Sequence, residues 1–254
     1  MLLRLPTSIP EARQCLADGA VPIGGATLVW ATWQRDGFPE LAMSLREVPE
    51  ANVVGRETLG GAVLLHRIDA TVPDVLRLAA ATIGTGAVRR TATVGGNIVG
   101  STLRCLLPAA LVLDARATVL EPDGVREADL AEVVAKRPVL LGLRWRTPLA
   151  SAYRKLPAEP GGEPPLVVAS ALHTEDGGRR RLRVAVRDGY DVLTGTTWCD
   201  TDADTGTNTG ADTGSGAGDV LGALRDTALR DLPATAWEIV RPQVTGLLEA
   251  GGRG

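Results

Sequence analysis

A pair of adjacent glycines near the middle of the chain constrains its fold more than any other sequence feature. The pair lies in Thr93-Val94-Gly95-Gly96-Asn97 and precedes an apolar stretch at residues 106–115. Adjacent glycines let the backbone approach a ligand closely and adopt angles that a Cβ would forbid. A turn of this kind ahead of a buried helix is typical of a phosphate cradle with open N–H groups, although an ordinary tight turn fits the same residues.

A second glycine pair lies earlier in the chain, in Ile23-Gly24-Gly25-Ala26-Thr27-Leu28. The apolar spacing of Ala12, Cys15 and Leu16 predicts a short helix ahead of it, and residues 21–23 are typical of a strand. The order of helix, strand and glycine turn favours a ligand loop over an isolated tight turn. The second pair therefore favours the interpretation of the turn at Gly95 as a phosphate or pyrophosphate cradle.

Charge and cysteine content bear on several other classes of site. The 254 residues carry a formal net charge of −3, so a nucleic-acid surface is not expected. Arg and Asp interrupt every apolar run before it reaches membrane-spanning length, which predicts a cytoplasmic protein without membrane contact. Cys15, Cys105 and Cys199 are odd in number and widely spaced, and His66 and His173 are isolated, so no metal site is predicted.

The chain divides into three predicted parts. Residues 1–50 carry the first glycine turn, residues 51–148 carry the second, and residues 149–254 form a C-terminal domain. The last boundary follows Thr147-Pro148, because the residue before proline leaves helical space. Residues 201–218 are nearly all Thr, Asp, Gly, Ala and Ser, which predicts a flexible insertion within the last part.

Hydrophobic periodicity predicts regular elements in the second and third parts. Helices are predicted at 72–81, 106–114, 222–229 and 236–250. Strands are predicted at 118–120, 139–143, 166–172 and 182–186.

Taken in order, these motifs resemble those of a known family. The chain is similar to the FAD-binding medium subunit of the molybdenum hydroxylases, the xanthine dehydrogenase and carbon monoxide dehydrogenase group. The motifs that carry the resemblance are Ile23 to Leu28, Leu59-Gly60-Gly61-Ala62-Val63, Ile83-Gly84 with Val88-Arg89-Arg90, Thr93 to Asn97, and Tyr153-Arg154-Lys155. They run in the family's order over nearly the whole chain.

The resemblance implies an α+β protein with a two-lobed FAD-binding fold of the vanillyl-alcohol oxidase and p-cresol methylhydroxylase type. It implies a C-terminal α/β domain with a three-stranded sheet and helices. FAD would be the cofactor and would supply the redox chemistry, so no catalytic side chain is assigned. The cofactor-binding residues that the resemblance implies are Ile23, Gly24, Gly25, Ala26, Thr27, Leu28, Thr93, Gly95, Gly96, Asn97 and Lys155.

The chain departs from the family pattern at several polar positions. Ala26 stands where the family has Thr or Ser, and Thr27 where it has Asp. Residues 101–106 lack the Asp that follows the family's second motif, and Arg104 reverses the local charge. The backbone cradle is therefore expected to persist while polar side-chain partners are lost.

Three functions stay open. The first is an FAD subunit that relays electrons between iron–sulfur and molybdopterin partners and an acceptor such as NAD. The second is a stand-alone FAD-dependent oxidase or dehydrogenase acting on a small molecule in specialised metabolism. The third is a scaffold or a non-redox small-molecule pocket. Partner subunits would favour the first, reduction by an organic substrate alone the second, and lack of flavin the third.

Overall fold

The computed structural model describes residues 1–157, 162–199 and 215–252. The chain forms two compact units. The first comprises Met1–Ala110 and Asp114–Arg146, and the second comprises Leu111–Leu113 and Thr147–Gly254. Throughout the described ranges, no helix combines the length and the hydropathy needed to cross a bilayer.

Helices account for much of the first unit. They are α1 (Ile9–Ala17), α2 (Val29–Asp36), α3 (Asp74–Ala81), α4 (Gly86–Arg89), α5 (Leu107–Val112), which starts in this unit, and α6 (Leu130–Lys136). Short 3₁₀ turns cover Leu45–Glu47, Pro49–Asn52 and Leu65–Arg67, and Gly96–Gly100 forms a π-helical turn. The predicted helix at 72–81 starts at Asp74, directly after Pro73.

Helix α1 illustrates how local sequence sets an element. The Ser8 hydroxyl accepts from the Glu11 N–H, and the Glu11 carboxylate accepts from the Thr7 N–H at 2.8 Å. This arrangement satisfies N–H groups that the first turn of a helix leaves without partners. Ala12 and Cys15 are buried, as their spacing predicts.

Two sheets lie in the first unit. A parallel three-stranded sheet has the order β1-β3-β2 and consists of β1 (Leu2–Arg4), β2 (Val21–Pro22) and β3 (Leu41–Met43). An antiparallel sheet has the order β4-β5-β8-β6-β7 and consists of β4 (Val54–Gly55), β5 (Thr58–Gly60), β6 (Arg116–Glu121), β7 (Gly124–Ala128) and β8 (Val139–Arg144). The predicted strands at 118–120 and 139–143 are confirmed as parts of β6 and β8.

One apolar cluster connects both sheets to α1. Cys15 of α1, Met43 of β3, Leu120 of β6 and Leu141 of β8 are all buried in it. The burial of these side chains removes apolar surface from water and stabilises the packing of the unit. Cys15 is therefore a core residue in this unit.

Helix α2 buries none of its eight residues. Trp30 is half exposed and packs edge-to-face on Phe38, with ring centroids 5.3 Å apart. Gly37 ends the helix with a φ of +103°, which favours glycine. The first glycine turn thus leads into a helix that is held mainly by local contacts.

The second unit is built on one antiparallel sheet with the order β12-β11-β10-β9. Its strands are β9 (Ala150–Lys155), β10 (Val167–Thr174), β11 (Arg180–Asp188) and β12 (Asp191–Cys199), and its helices are α7 (Ser215–Arg225) and α8 (Ala234–Gly251). Leu172, Leu182, Val240 and Val244 belong to its buried core. The predicted strands at 166–172 and 182–186 and the helix at 236–250 are confirmed, with shifted ends.

Three predictions for this unit need correction. The expected three-stranded sheet has four strands, because the weakly alternating β9 gains its hydrogen bonds from β10. The helix predicted at 222–229 is α7, which starts at Ser215 and ends at Arg225. Most of the predicted insertion at 201–218 lies outside the described residues, whereas residues 215–218 belong to α7.

An ion-pair network connects the edge strand β7 with the adjacent strand β6 and with helix α6. Arg126 Nη2 lies 2.7 Å from an oxygen of Glu121 and 2.7 Å from one of Glu132, and Lys136 Nζ lies 2.9 Å from the same Glu132 oxygen. Hydrogen bonds from Arg126, and then from Lys136, lower the pKa of Glu132 to about 2. The same guanidinium lowers the pKa of Glu121.

This network predicts a loss of stability in acid. The pKa of Glu132 lies below its ordinary value of 4.5, so its pairs contribute fully above that pH and fade as the pH falls toward about 2. We expect the free energy of unfolding, measured in urea, to decrease less steeply in Glu132→Gln than in the wild type as the pH is lowered from 4.5 toward about 2. Glu127→Gln, at an exposed neighbouring position, is the control. An unchanged profile in Glu132→Gln would contradict the assignment.

Candidate functional site

The first glycine turn is a partly exposed loop with a row of N–H groups that have no acceptor among the described residues. The Ile23 N–H donates to the Met43 carbonyl at 2.8 Å and thereby prolongs the β2–β3 pairing. Within the described part of the chain, the N–H groups of the next five residues, 24–28, donate to no protein atom. Ala26 has a φ of +56°, and its carbonyl accepts from the Trp30 N–H at the start of α2. Such a row of donors before a helix suits an anion.

The second glycine turn is held by the protein itself. The Val94 and Gly95 N–H groups donate to the carbonyls of Val63 and Gly61 at 3.0 and 2.8 Å. The Gly96 N–H donates to Thr93 Oγ1 at 3.1 Å, and the Asn97 N–H donates to a backbone carbonyl. The sequence suggests open N–H groups here, but the structure pairs them, so the open row lies in the first loop instead.

The two glycine pairs meet at Thr93. A Cβ on Gly24 would overlap Thr93 Oγ1, and a Cβ on Gly96 would lie 3.0 Å from the same atom. A Cβ on Gly25 would overlap the carbonyl group of Thr91. The loops at 23–28 and 91–97 are therefore in direct contact, and the absence of a side chain at Gly25 permits that contact.

A third glycine pair supports the second turn. Gly61 donates to the Leu141 carbonyl at 2.7 Å and accepts from the Gly95 N–H. A Cβ on Gly60 would overlap the backbone of Ala51, and one on Gly61 would overlap the Leu140 carbonyl. The sequence indicates this pair only through the family resemblance. Its structural role depends on strands that are distant in sequence.

Asn97 holds the loop that follows the second turn. Its side chain is buried, and its Oδ1 accepts from the Leu106 N–H at 2.9 Å. Ser101 Oγ accepts from the Leu103 N–H at 3.2 Å in the same loop. Between these two ties lies Arg104, with a φ of +39° and a buried Nε that finds no hydrogen-bond partner among the described residues. No sequence pattern indicates this backbone conformation.

Removal of the Asn97 side chain is expected to destabilise the loop. In Asn97→Ala, the buried Leu106 N–H loses its acceptor, which costs about 1–3 kcal/mol. Urea denaturation would measure this loss in the free energy of unfolding. Thr102→Ala, which changes an exposed side chain in the same loop, should leave stability nearly unchanged. Equal stability of the two variants would show that the Asn97 bond contributes nothing.

Lys155 lies in the second unit, apart in the chain from the two glycine turns. It is the last residue of β9, is half-buried, and stands opposite Val167 of β10. The remaining implied ligands all lie in the first unit, where the turns at Gly24 and Thr93 are in contact. Among the residues described, no group of three or more His, Cys, Asp or Glu side chains converges as metal ligands.

Comparisons with known proteins identify the family. The model for the FAD-binding domain of molybdopterin dehydrogenases matches residues 3–141. The comparison with curated proteins finds no match.

Several solved structures share the fold over nearly the full chain. Quinoline 2-oxidoreductase from Pseudomonas putida 86 is 19% identical, covers 98% of this chain and 96% of its own, and has a TM-score of 0.64. Carbon monoxide dehydrogenase from Hydrogenophaga pseudoflava is 18% identical, covers 98% and 97%, and has a TM-score of 0.65. The family match spans more than half of this chain. The chain therefore belongs to the family of FAD-binding domains of molybdopterin dehydrogenases, which are oxidoreductases with FAD as cofactor.

Proposed function

We propose that the chain is an FAD-carrying electron-transfer subunit that works with iron–sulfur and molybdopterin partners. In this role it passes electrons between those partners and an acceptor such as NAD. We further propose a cytoplasmic location, a two-lobed FAD fold with lobes at 1–50 and 51–148, and a C-terminal domain at 149–254. The observation that carries the proposal is the row of unpaired N–H groups at 24–28 beside Thr93.

The residues of this loop fit the diphosphate of FAD. A diphosphate needs several N–H donors and little side-chain bulk, and residues 24–28 offer both on an exposed loop. Gly96 adds open space to the site, because beyond its own turn and among the described residues a Cβ there would contact Thr93 Oγ1. The backbone therefore supplies the donors, so the changes at Ala26 and Thr27 are compatible with binding.

The chain's own contribution is to bind and orient the cofactor. FAD, when bound, supplies the exchange of electrons. Residues 24–28 would donate hydrogen bonds to the diphosphate, and Thr93 keeps the second turn closed by accepting from the Gly96 N–H. Asn97 acts indirectly, since its oxygen holds the following loop. We propose Lys155 as a further cofactor contact because it is one of two lysines in the chain.

The first experiment is a visible absorption spectrum of the purified chain, with the released chromophore identified. We expect FAD in near one-to-one ratio and little turnover with NADH or organic substrates until partner subunits are added. Reduction of the bound flavin by an organic substrate alone would favour the stand-alone enzyme. A colourless protein that also takes up no added FAD would overturn the redox assignment and favour the scaffold.

A further inference from the structure

We propose that Arg104 is an anion-binding residue that pairs with the diphosphate of the bound dinucleotide. This inference rests on the proposed placement of FAD at the two glycine turns. It concerns the segment 101–106, where the resemblance implies an Asp and this chain has a cation instead. Three independent observations support it: backbone conformation, the surroundings of the guanidinium, and the distribution of charge.

The backbone of Arg104 is held in an unfavourable conformation. Its φ of +39° lies in the left-handed region that L residues with a Cβ rarely adopt. The Arg104 carbonyl accepts from the Leu107 N–H at 2.9 Å, and flanking N–H groups are bound by Ser101 and Asn97. Strained residues that the surroundings hold in place cluster at ligand sites, because strain can position a functional side chain.

The half-buried Arg104 differs from the two other arginines that bury an unbonded Nε, because its guanidinium makes no hydrogen bond or ion pair within the described residues. Its Nε is buried without a hydrogen-bond partner, and no ion pair of the described residues includes it. Arg181 and Arg187 also bury their Nε atoms, but Arg181 pairs with Glu175 at 2.6 Å and Arg187 donates to the Pro165 carbonyl at 2.6 Å. A partly buried cation without such partners is costly unless an anionic ligand completes it.

Charge distribution points to the diphosphate as that ligand. Arg104 is the only charged residue in the segments 20–34 and 91–113, which together contain both glycine turns. The N–H donors at 24–28 are neutral, so Arg104 is the charged side chain within these segments that can pair with a diphosphate, while Arg89 and Arg90 lie just ahead of the second turn. A planar guanidinium also matches phosphate oxygens with two parallel hydrogen bonds, which makes arginine a common phosphate ligand.

Calorimetric titration with FAD, ADP and riboflavin tests the proposal, because riboflavin lacks the phosphates. We expect Arg104→Gln to weaken the binding of FAD and ADP by about 10- to 100-fold and to leave the binding of riboflavin unchanged. Arg116→Gln, at an exposed arginine of β6, is the matched control and should bind all three like the wild type. Arg104→Gly should bind as weakly as Arg104→Gln while melting at an equal or higher temperature, because glycine tolerates the positive φ.

The outcomes separate this inference from the proposed function. If the wild type and Arg104→Gln bind FAD with equal affinity, the proposed role of Arg104 is wrong while the FAD assignment stands. The same holds if the substitution weakens the binding of riboflavin as much as that of FAD. If the wild type binds ADP in an Arg104-dependent way but takes up no FAD, the anion site stands and the flavin function fails. If the wild type binds neither FAD nor ADP, both fail.

Discussion

Replacement of Gly25 with alanine is expected to destabilise the first unit by about 3 kcal/mol or more, and to abolish flavin binding with it. The added Cβ would overlap the carbonyl of Thr91. That backbone cannot easily move, because the Ala92 N–H donates to the Val88 carbonyl at 2.7 Å and the Ala92 carbonyl accepts from the Leu65 N–H at 3.0 Å. Urea denaturation followed by near-ultraviolet circular dichroism would measure the loss.

Gly124→Ala provides the control for this prediction. Gly124 lies in the same unit at the start of β7, and a Cβ there would meet no heavy atom within 4 Å. We expect its free energy of unfolding to stay within about 0.5 kcal/mol of the wild type. If Gly25→Ala were equally stable, the two glycine loops would not be packed against each other in the folded protein.

Replacement of Gly96 with valine is expected to abolish FAD binding while the fold persists. Beyond its own turn, and among the described residues, a Cβ at this position would contact Thr93 Oγ1 at 3.0 Å, so the protein accepts the extra atoms with a small adjustment. The branched side chain would then occupy the space beside Gly24, where the diphosphate is proposed to approach. The measurement is the flavin content of the purified variant together with its melting temperature.

Gly100→Val separates steric exclusion from a general effect of valine in this helical turn. Gly100 ends the same π-helical turn and is exposed, and a Cβ there would meet no heavy atom within 4 Å. This variant should retain normal flavin content. Full flavin content in Gly96→Val would remove Gly96 from the cofactor site, whereas loss of flavin in both variants would trace the effect to the helical turn itself.

Several features of this protein could be predicted from local sequence because their causes are local. The spacing of Ala12 and Cys15 predicts α1, since one helical face has to be buried. The apolar runs at 118–120 and 139–143 predict β6 and β8. The glycine pairs, in order with their flanking motifs, are enough to indicate the FAD-binding family that the family model confirms.

Other features could not be predicted because their causes lie elsewhere in the chain. Strand β9 has no clear alternation and forms against β10. The N–H groups of Gly95 and Gly96 look open in sequence, yet they are satisfied by Gly61 and Thr93. In the sequence, Arg104 stands out only by its charge relative to the family pattern. Its positive φ depends on hydrogen bonds that Ser101 and Asn97 accept from the flanking N–H groups.

The sequence by itself therefore determined most of the regular elements through hydrophobic periodicity, and it indicated the family and the cofactor through the resemblance of its motifs. Only the tertiary structure decided which glycine loop keeps open N–H donors and why Gly25 has no side chain. It also decided that Arg104 has a positive φ and a buried Nε without a partner in the described part of the chain. Those properties depend on contacts between segments such as 23–28 and 91–97, and steric exclusion between distant segments leaves no periodic pattern in the sequence.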